Sequence, residues 1–480
     1  MNAFDFFFEN TSGLKKNFLV GKEELSYEQL YKRACAVSGM IRSRVGEGKN
    51  IILLSPNNSF FLVTYLAILK SGNTVVPLDP MIEPESFRYI RDLTETPLIF
   101  AVPQVKQRLG LSEENCLLPD HLADTGEMAC APQAGFDKER CAEIIFTSGS
   151  TGKPKGVMLS HKNLIANTSS IVDYLGLGAD DRMLVVLPFY YCYGLSLLHT
   201  HLRVGGSIVF NNAFIFLGAV INDLKNNECT GFAGVPTHFQ ILLRKSDSFK
   251  STEFPHLKYV TQAGGKLAPV FIDEFRQAHP EVKFIVMYGQ TEATARLSYL
   301  PEKDYETRKG SIGKGIPGVT LRVIGESGEP VKPGETGEVM ARGDNVMIGY
   351  YMDPEGSAAA LKDGWLFTGD LGTVDDDGYI YLTARKKEII KVGGKRISPK
   401  EIEAVILALP EVIDCTVEGI EDEILGEALK ATVVVNDSKK LNEEFLKEHC
   451  AKHLALFKIP QVFDIKEQLS MSATGKKIKG

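Results

Sequence analysis

Ile51-Ile-Leu-Leu-Ser-Pro-Asn-Asn-Ser-Phe-Phe-Leu-Val-Thr-Tyr-Leu-Ala-Ile-Leu-Lys-Ser-Gly-Asn-Thr-Val-Val-Pro-Leu78 changes texture twice. Ile51 to Ser55 is a short apolar run that reads as a strand, and Phe60 to Lys70 is long enough to read as a helix. Gly72 ends that helix, and Val75 to Leu78 is strand-like again. Upstream, Tyr27 to Val45 has helical spacing. Downstream, strand-like runs recur at Met183 to Leu187, Ser207 to Phe210, Gly231 to Ala233, Tyr259 to Gln262 and Lys283 to Tyr288, each near a helical stretch. Such alternation predicts α/β layers with largely parallel sheets.

After Gly310 the strands become short and the turns glycine-rich, as in Leu321-Arg-Val-Ile-Gly-Glu-Ser-Gly-Glu, Gly337-Glu-Val-Met-Ala-Arg-Gly and Asp375-Asp-Asp-Gly-Tyr-Ile-Tyr-Leu. These read as hairpins of a small β subdomain. From about Lys387 the pattern is mixed, with a helix at Pro399 to Leu407, strands near Cys415 to Glu418 and Lys430 to Val435, and a helix at Asn442 to His453. That stretch suffices for a small α+β domain. A chain of 480 residues is itself expected to divide into two or three domains.

A net charge of −7, spread among interspersed residues, argues against nucleic acid as the main partner. The N-terminus has acids within its apolar stretch and no basic leader, so it does not read as a signal peptide. The apolar runs are shorter than the ~20 residues that span a bilayer. Eight cysteines show no CxxC or Cys/His cluster. Free thiols in a reducing cytoplasm are the expectation.

Phe146-Thr-Ser-Gly-Ser-Thr-Gly-Lys-Pro-Lys-Gly156 follows the strand-like Glu143 to Phe146. Its glycines let backbone N–H groups converge on an anion; Thr147, Ser148, Ser150 and Thr151 donate hydrogen bonds; Lys153 and Lys155 supply charge. The loop suits polyphosphate, yet it is not a Walker A motif. Only Ser150 and Thr151 separate Gly149 from Gly152, and Pro154 stands where a hydroxyl should follow Lys153.

The segment resembles the phosphate loop of the adenylate-forming superfamily, which includes acyl-CoA synthetases, luciferases and nonribosomal peptide adenylation domains. Further motifs follow in the family's order. Tyr288-Gly-Gln-Thr-Glu-Ala293 is similar to the second nucleotide motif, which implies that Tyr288 stacks on adenine beside Gly289, Thr291 meets phosphate and Glu292 holds Mg²⁺. One protein carboxylate suffices for this hard cation when the substrate supplies other oxygens. Gln262-Ala-Gly-Gly-Lys-Leu267 looks like the adenine-flanking turn, with Gly264 and Gly265 allowing close backbone approach. Trp365-Leu-Phe-Thr-Gly-Asp370 resembles the stretch whose aspartate accepts from the ribose hydroxyls, with Arg385 beside it. Ser470-Met-Ser-Ala-Thr-Gly-Lys476 resembles the C-terminal catalytic-lysine motif; read alone, Lys476 is a solvated tail residue.

The resemblance implies a large N-terminal AMP-binding domain over 1–385, its β subdomain at about 310–385, and a small mobile catalytic domain over 386–480. Lys387 falls at the implied hinge and Gly394 where backbone lines the thiol tunnel. Ser398-Pro-Lys-Glu401 also reads as a helix capping box. The implied reaction joins a carboxylic acid to AMP from ATP and then passes the acyl group to a thiol. The thiol is that of CoA or of the phosphopantetheine on a separate acyl carrier protein. A non-catalytic acyl-adenylate-binding protein is the alternative of another class, and it should lack Lys476 or Glu292.

Pro188-Phe-Tyr-Tyr-Cys-Tyr-Gly-Leu195 has no carboxylate where the family's amino-acid-activating domains receive an α-amine, so an α-amino acid is disfavoured. Tyr191, Tyr193, Val235, His238 and Phe239 are candidates for the acid pocket or for the core. Arg296 meets either a polar substrate tail or a structural ion-pair partner.

Overall fold

The computed structural model describes residues 1–123, 125–147, 153–422, 426–436 and 441–467. Among them the strands form four sheets. Helix Tyr27–Val45 begins where Ser26 and Gln29 cap one another reciprocally. Strand Asn50–Leu54 lies between Thr74–Pro77 and Leu98–Ala101, parallel to both. Helix Ser59–Lys70, started by the Asn58 side chain accepting from the Phe61 N–H at 2.8 Å, is buried from Phe60 to Lys70. A helix apolar on every side belongs in a core, and this one packs on Tyr27–Val45. At its end the buried Lys70 ammonium meets the Asp5 carboxylate at 2.6 Å and the Ala131 carbonyl at 2.8 Å.

A second sheet runs in the order Lys314–Gly315, Ser298–Leu300, Lys283–Tyr288, Tyr259–Gln262, Gly231–Gly234, Arg182–Val185, Ser207–Phe210, Asn17–Val20, Leu25–Ser26. Its interior pairings are parallel and its edges antiparallel. The third sheet, Val319–Ile324, Gly337–Gly343, Trp365–Val374, Leu361–Lys362 and Ile380–Arg385, is antiparallel, as the hairpin texture predicts. The fourth contains Lys395–Ile397, Ile390–Val392, Gly426–Val435, Val412–Asp422 and Val462–Lys466; helix Pro399–Leu407 packs on Val412–Asp422, and helix Glu443–His453 packs on that helix. The fold is thus α/β, a large N-terminal part with parallel sheets followed by a smaller C-terminal part.

The two parts share one apolar cluster and also touch through polar contacts. Arg244, ion-paired to Glu274, donates to the Leu409 and Pro410 carbonyls, and Gln240 Nε2 donates to Asp414 Oδ1 at 3.3 Å. Ser398 Oγ donates to the Thr383 carbonyl at 2.6 Å. That last bond corrects the capping-box reading: Ser398 makes no side-chain cap, and Glu401 pairs with Lys458.

A second correction concerns thiols. Cys35 and Cys130, 95 residues apart, are joined in a disulfide with their Cα atoms 5.6 Å apart. No spacing rule signals it, because helix Tyr27–Val45 meets the segment near Cys130 only in the folded chain. No helix among the described residues is long and apolar enough to cross a membrane.

Candidate active site

Parallel strands Tyr259–Gln262 and Lys283–Tyr288 end side by side, and the chain leaving each becomes the wall of one cleft of about 490 Å³. The carboxyl ends of parallel strands are where open α/β sheets receive ligands, because the following loops diverge there. Gly264 leaves the first strand at φ +85°, and Gly264 and Gly265 both line the cleft. Gly289 leaves the second with its Cα close against the Ala295 carbonyl. Thr291–Ala293 then forms a single tight turn, and Thr294 takes φ +66°, a strained value for a β-branched residue. Its hydroxyl donates to the Asn345 carbonyl at 2.7 Å, which holds that turn.

The facing wall comes from the antiparallel sheet. Asp370 and Arg385 stand opposite one another in register, and Arg385 Nε donates to Asp370 Oδ1 at 2.9 Å. The Tyr288 hydroxyl donates to the other oxygen, Oδ2, at 2.6 Å. Tyr288, Asp370 and Arg385, read from separate motifs, therefore form one connected group. Glu292 Oε1 accepts from the Tyr350 hydroxyl at 2.8 Å, and the Thr291 hydroxyl is 3.4 Å from Cys192 Sγ. Lys155 lies 4.9 Å from the Tyr350 ring and is paired to Asp353 at 2.7 Å. Lys153 lies over Tyr89, and Thr147 lines the cleft. Ser148, Gly149, Ser150, Thr151, Gly152 and Lys476 lie outside the described residues.

Tyr191, Tyr193, Val235 and Arg296 line the same cleft. His238 and Phe239 do not. They sit in helix Pro236–Lys245 on its inward side. His238 Nδ1 accepts from the Val235 N–H at 3.4 Å with its ring against Phe214, and Phe239 packs among Phe232, Phe275 and Phe284. Burial holds the His238 imidazole down at about 3, so it stays neutral. Lys387 occupies the short turn Lys386–Glu388 directly after strand Ile380–Arg385. Gly394 turns the hairpin beyond it at φ +80° and is not among the residues that line the cleft, whereas Lys400, Glu403 and Thr416 of the C-terminal part line it.

The family model described as AMP-binding enzyme matches residues 9–351, and that described as AMP-binding enzyme C-terminal domain matches residues 401–476. The chain belongs to the AMP-binding enzymes. Among its relatives is an oxalate–CoA ligase of Arabidopsis thaliana, 31% identical over 95% of this chain and 92% of that one. A feruloyl-CoA synthase of an Amycolatopsis species is 32% identical over 96% and 94%. ATP-bound MatB from Rhodopseudomonas palustris superposes with a TM-score of 0.88 at 28% identity, covering 99% of this chain and 97% of that chain.

In this AMP-binding enzyme no group of three or more His, Cys, Asp or Glu side chains among the described residues is placed to hold a metal ion. Glu292 is a carboxylate on the cleft wall. A hard cation that takes one protein carboxylate, phosphate oxygens and water fits that donor set.

Sequence reading missed Tyr350, 58 positions from the carboxylate it contacts, and Asn345, whose Nδ2 donates to the carbonyls of Ala293 and Arg296 at 3.2 and 2.8 Å. Neither sits in a motif with a chemical signal. Arg296 itself is 2% exposed. Its guanidinium lies 3.9 Å from the Tyr193 ring centroid, and it donates to the Ala295 carbonyl, Ser196 Oγ and Met287 Sδ. The ring contributes about 0.5–2 kcal/mol, against a desolvation penalty of several kcal/mol for a buried ion.

Proposed function

We infer that this chain is an AMP-forming acid–thiol ligase. It joins a carboxylate to the α-phosphorus of ATP, giving acyl-AMP and pyrophosphate, and then transfers the acyl group to the thiol of CoA with release of AMP. The observation that carries this reading is the single cleft into which Tyr288, Thr291, Glu292, Asp370 and Arg385 all open. Tyr288 flanks adenine, Asp370 and Arg385 take the ribose, and Thr291 with the 147–155 loop takes phosphate. Glu292 and phosphate oxygens hold Mg²⁺, which offsets phosphate charge when bound. Relatives named as CoA ligases support CoA as acceptor. Their acids differ, so family membership does not name the acid.

Lys476 serves the first half-reaction, bridging the two anionic reactants. The division at 385/386 makes Lys387 the hinge about which residues 386–480 turn, bringing Lys476 and then the Gly394 loop to the cleft. The reaction belongs in the cytoplasm, whose reducing pool acts against the Cys35–Cys130 bond. Lys476→Ala should abolish acid-dependent pyrophosphate exchange and spare thioester formation from supplied acyl-AMP. Equal loss of both half-reactions overturns the division of labour. Running the thioester assay with CoA and with holo acyl carrier protein decides the acceptor.

A further inference from the structure

Two lysine or arginine residues are buried among the described residues, Lys70 and Arg296. They are treated differently. Lys70 has its carboxylate, Asp5, at 2.6 Å. Arg296 makes no ion pair with any described residue; its contacts are a thioether, a carbonyl, the Ser196 and Tyr174 hydroxyls and an aromatic face, all neutral. A guanidinium does not shed its proton, so burial cannot neutralise it. Neutral donors and acceptors leave a buried charge largely uncompensated. The place where this happens is the cleft itself, on the same wall as Tyr191, Cys192 and Tyr193.

The guanidinium fork matches a carboxylate through two parallel N–H donors. Arg296 also follows Thr291, the proposed phosphate contact, by five positions, and Thr291 approaches Cys192 just as Arg296 approaches the adjacent Tyr193. Thr291 and Arg296 thus line the same cleft, as an acid held between them requires. Resting on the ligase reading above, we propose that the acyl substrate carries a second anionic group, most simply as a dicarboxylic acid, whose distal carboxylate pairs with Arg296. Such a substrate brings the missing counterion into the cleft and leaves with it as the thioester.

The test measures pyrophosphate release with ATP, Mg²⁺ and CoA over linear dicarboxylates of two to eight carbons and an aryl dicarboxylate. Each is set against its monomethyl ester, which keeps shape and removes one charge. The wild-type chain should prefer one diacid over its ester at least 100-fold in kcat/KM. Arg296→Met should lose at least 100-fold on that diacid, chiefly through KM, and keep or gain activity on the ester; Arg296→Lys should fall between. A wild-type preference for uncharged tails, or an unchanged diacid-to-ester ratio in Arg296→Met, overturns the inference and leaves the ligase reading standing. Pyrophosphate release with no acid of either kind, including plain fatty and aryl monoacids, overturns the ligase reading itself. If Arg296→Met does not fold, the wild-type ratio alone decides.

Discussion

Replacing Gly289 with alanine puts a methyl group where the backbone of the next turn already stands. The added carbon falls 2.0 Å from the Ala295 carbonyl oxygen and 2.8 Å from the Arg296 Cα, whereas ordinary contact begins at 3.4 Å. Roughly 1.4 Å must open, and no rotamer change supplies it because both obstacles are main chain. Either the exit of strand Lys283–Tyr288 or the turn bearing Arg296 has to move, and both line the cleft. A misplacement of about 1 Å costs on the order of 100-fold in rate, while overpacking costs about 1–3 kcal/mol of stability. Gly289→Ala should therefore fold, melt a few degrees lower, and lose about 100-fold in kcat/KM for acid-dependent pyrophosphate release. Gly218→Ala is the control, since nothing lies within 4 Å of its added carbon in helix Leu217–Asn226. Its activity should be unchanged and its stability equal or higher by about 0.5–1 kcal/mol. Activity of Gly289→Ala within threefold of wild type, with an unaltered melting curve, refutes the claim that this close approach sets the cleft.

Tyr350→Phe removes the hydroxyl that donates to Glu292 at 2.8 Å. A hydrogen bond to a charged group contributes about 1.5–3 kcal/mol, so kcat/KM should fall at least tenfold, more steeply at limiting Mg²⁺; equal loss at low and saturating Mg²⁺ argues against a role in aiming the carboxylate. Lys70→Met strands the buried Asp5 carboxylate and should lower unfolding free energy by about 3–5 kcal/mol in denaturant melts, whereas Lys70→Met with Asp5→Leu should recover most of it. Burial holds His161, His199 and His238 down at about 3 and pushes Glu143 up to about 7. The three histidines bind protons only on unfolding, so each makes stability rise with pH between about 3 and 6.5, while Glu143 is protonated when folded and makes it fall between about 4.5 and 7. Near pH 5.5 these four groups together bind a net two more protons in the unfolded chain, a contribution of about 2.7 kcal/mol per pH unit in the same direction as the buried His201 and His279, which burial also holds down; melts that stay flat from pH 4.5 to 6.5 contradict it.

Legibility in the sequence followed the range of the interactions. Helix Tyr27–Val45 and helix Pro399–Leu407 were readable to the residue because apolar spacing and breakers are local properties. The parallel strands behind the cleft were readable because each is a short apolar run flanked by turn residues. Tyr288 with Asp370 and Arg385 could be assembled only because three motifs carried a resemblance; their mutual contact spans 82 positions. Side-chain direction was not readable. His238 and Phe239 share an apolar helix with no periodic sign of which face meets the cleft, and Ser398 has the right spacing for a cap but spends its hydroxyl on Thr383. The Cys35–Cys130 bond and the Tyr350 contact are tertiary outcomes without a local trace.

Arg244 gives the small C-terminal part a detent. Its fork keeps Glu274 with two nitrogens and lends the third to the Leu409 and Pro410 carbonyls, over the ring of Phe271. If residues 386–480 turn as proposed, the lent bonds break at about 0.5–1.5 kcal/mol each for backbone acceptors, a scale that thermal motion crosses readily. The guanidinium stays neutralised throughout by Glu274, and the Pro410 carbonyl is already at the surface where water takes over. The resting position can be left and re-entered in every cycle with no orphaned charge on either side.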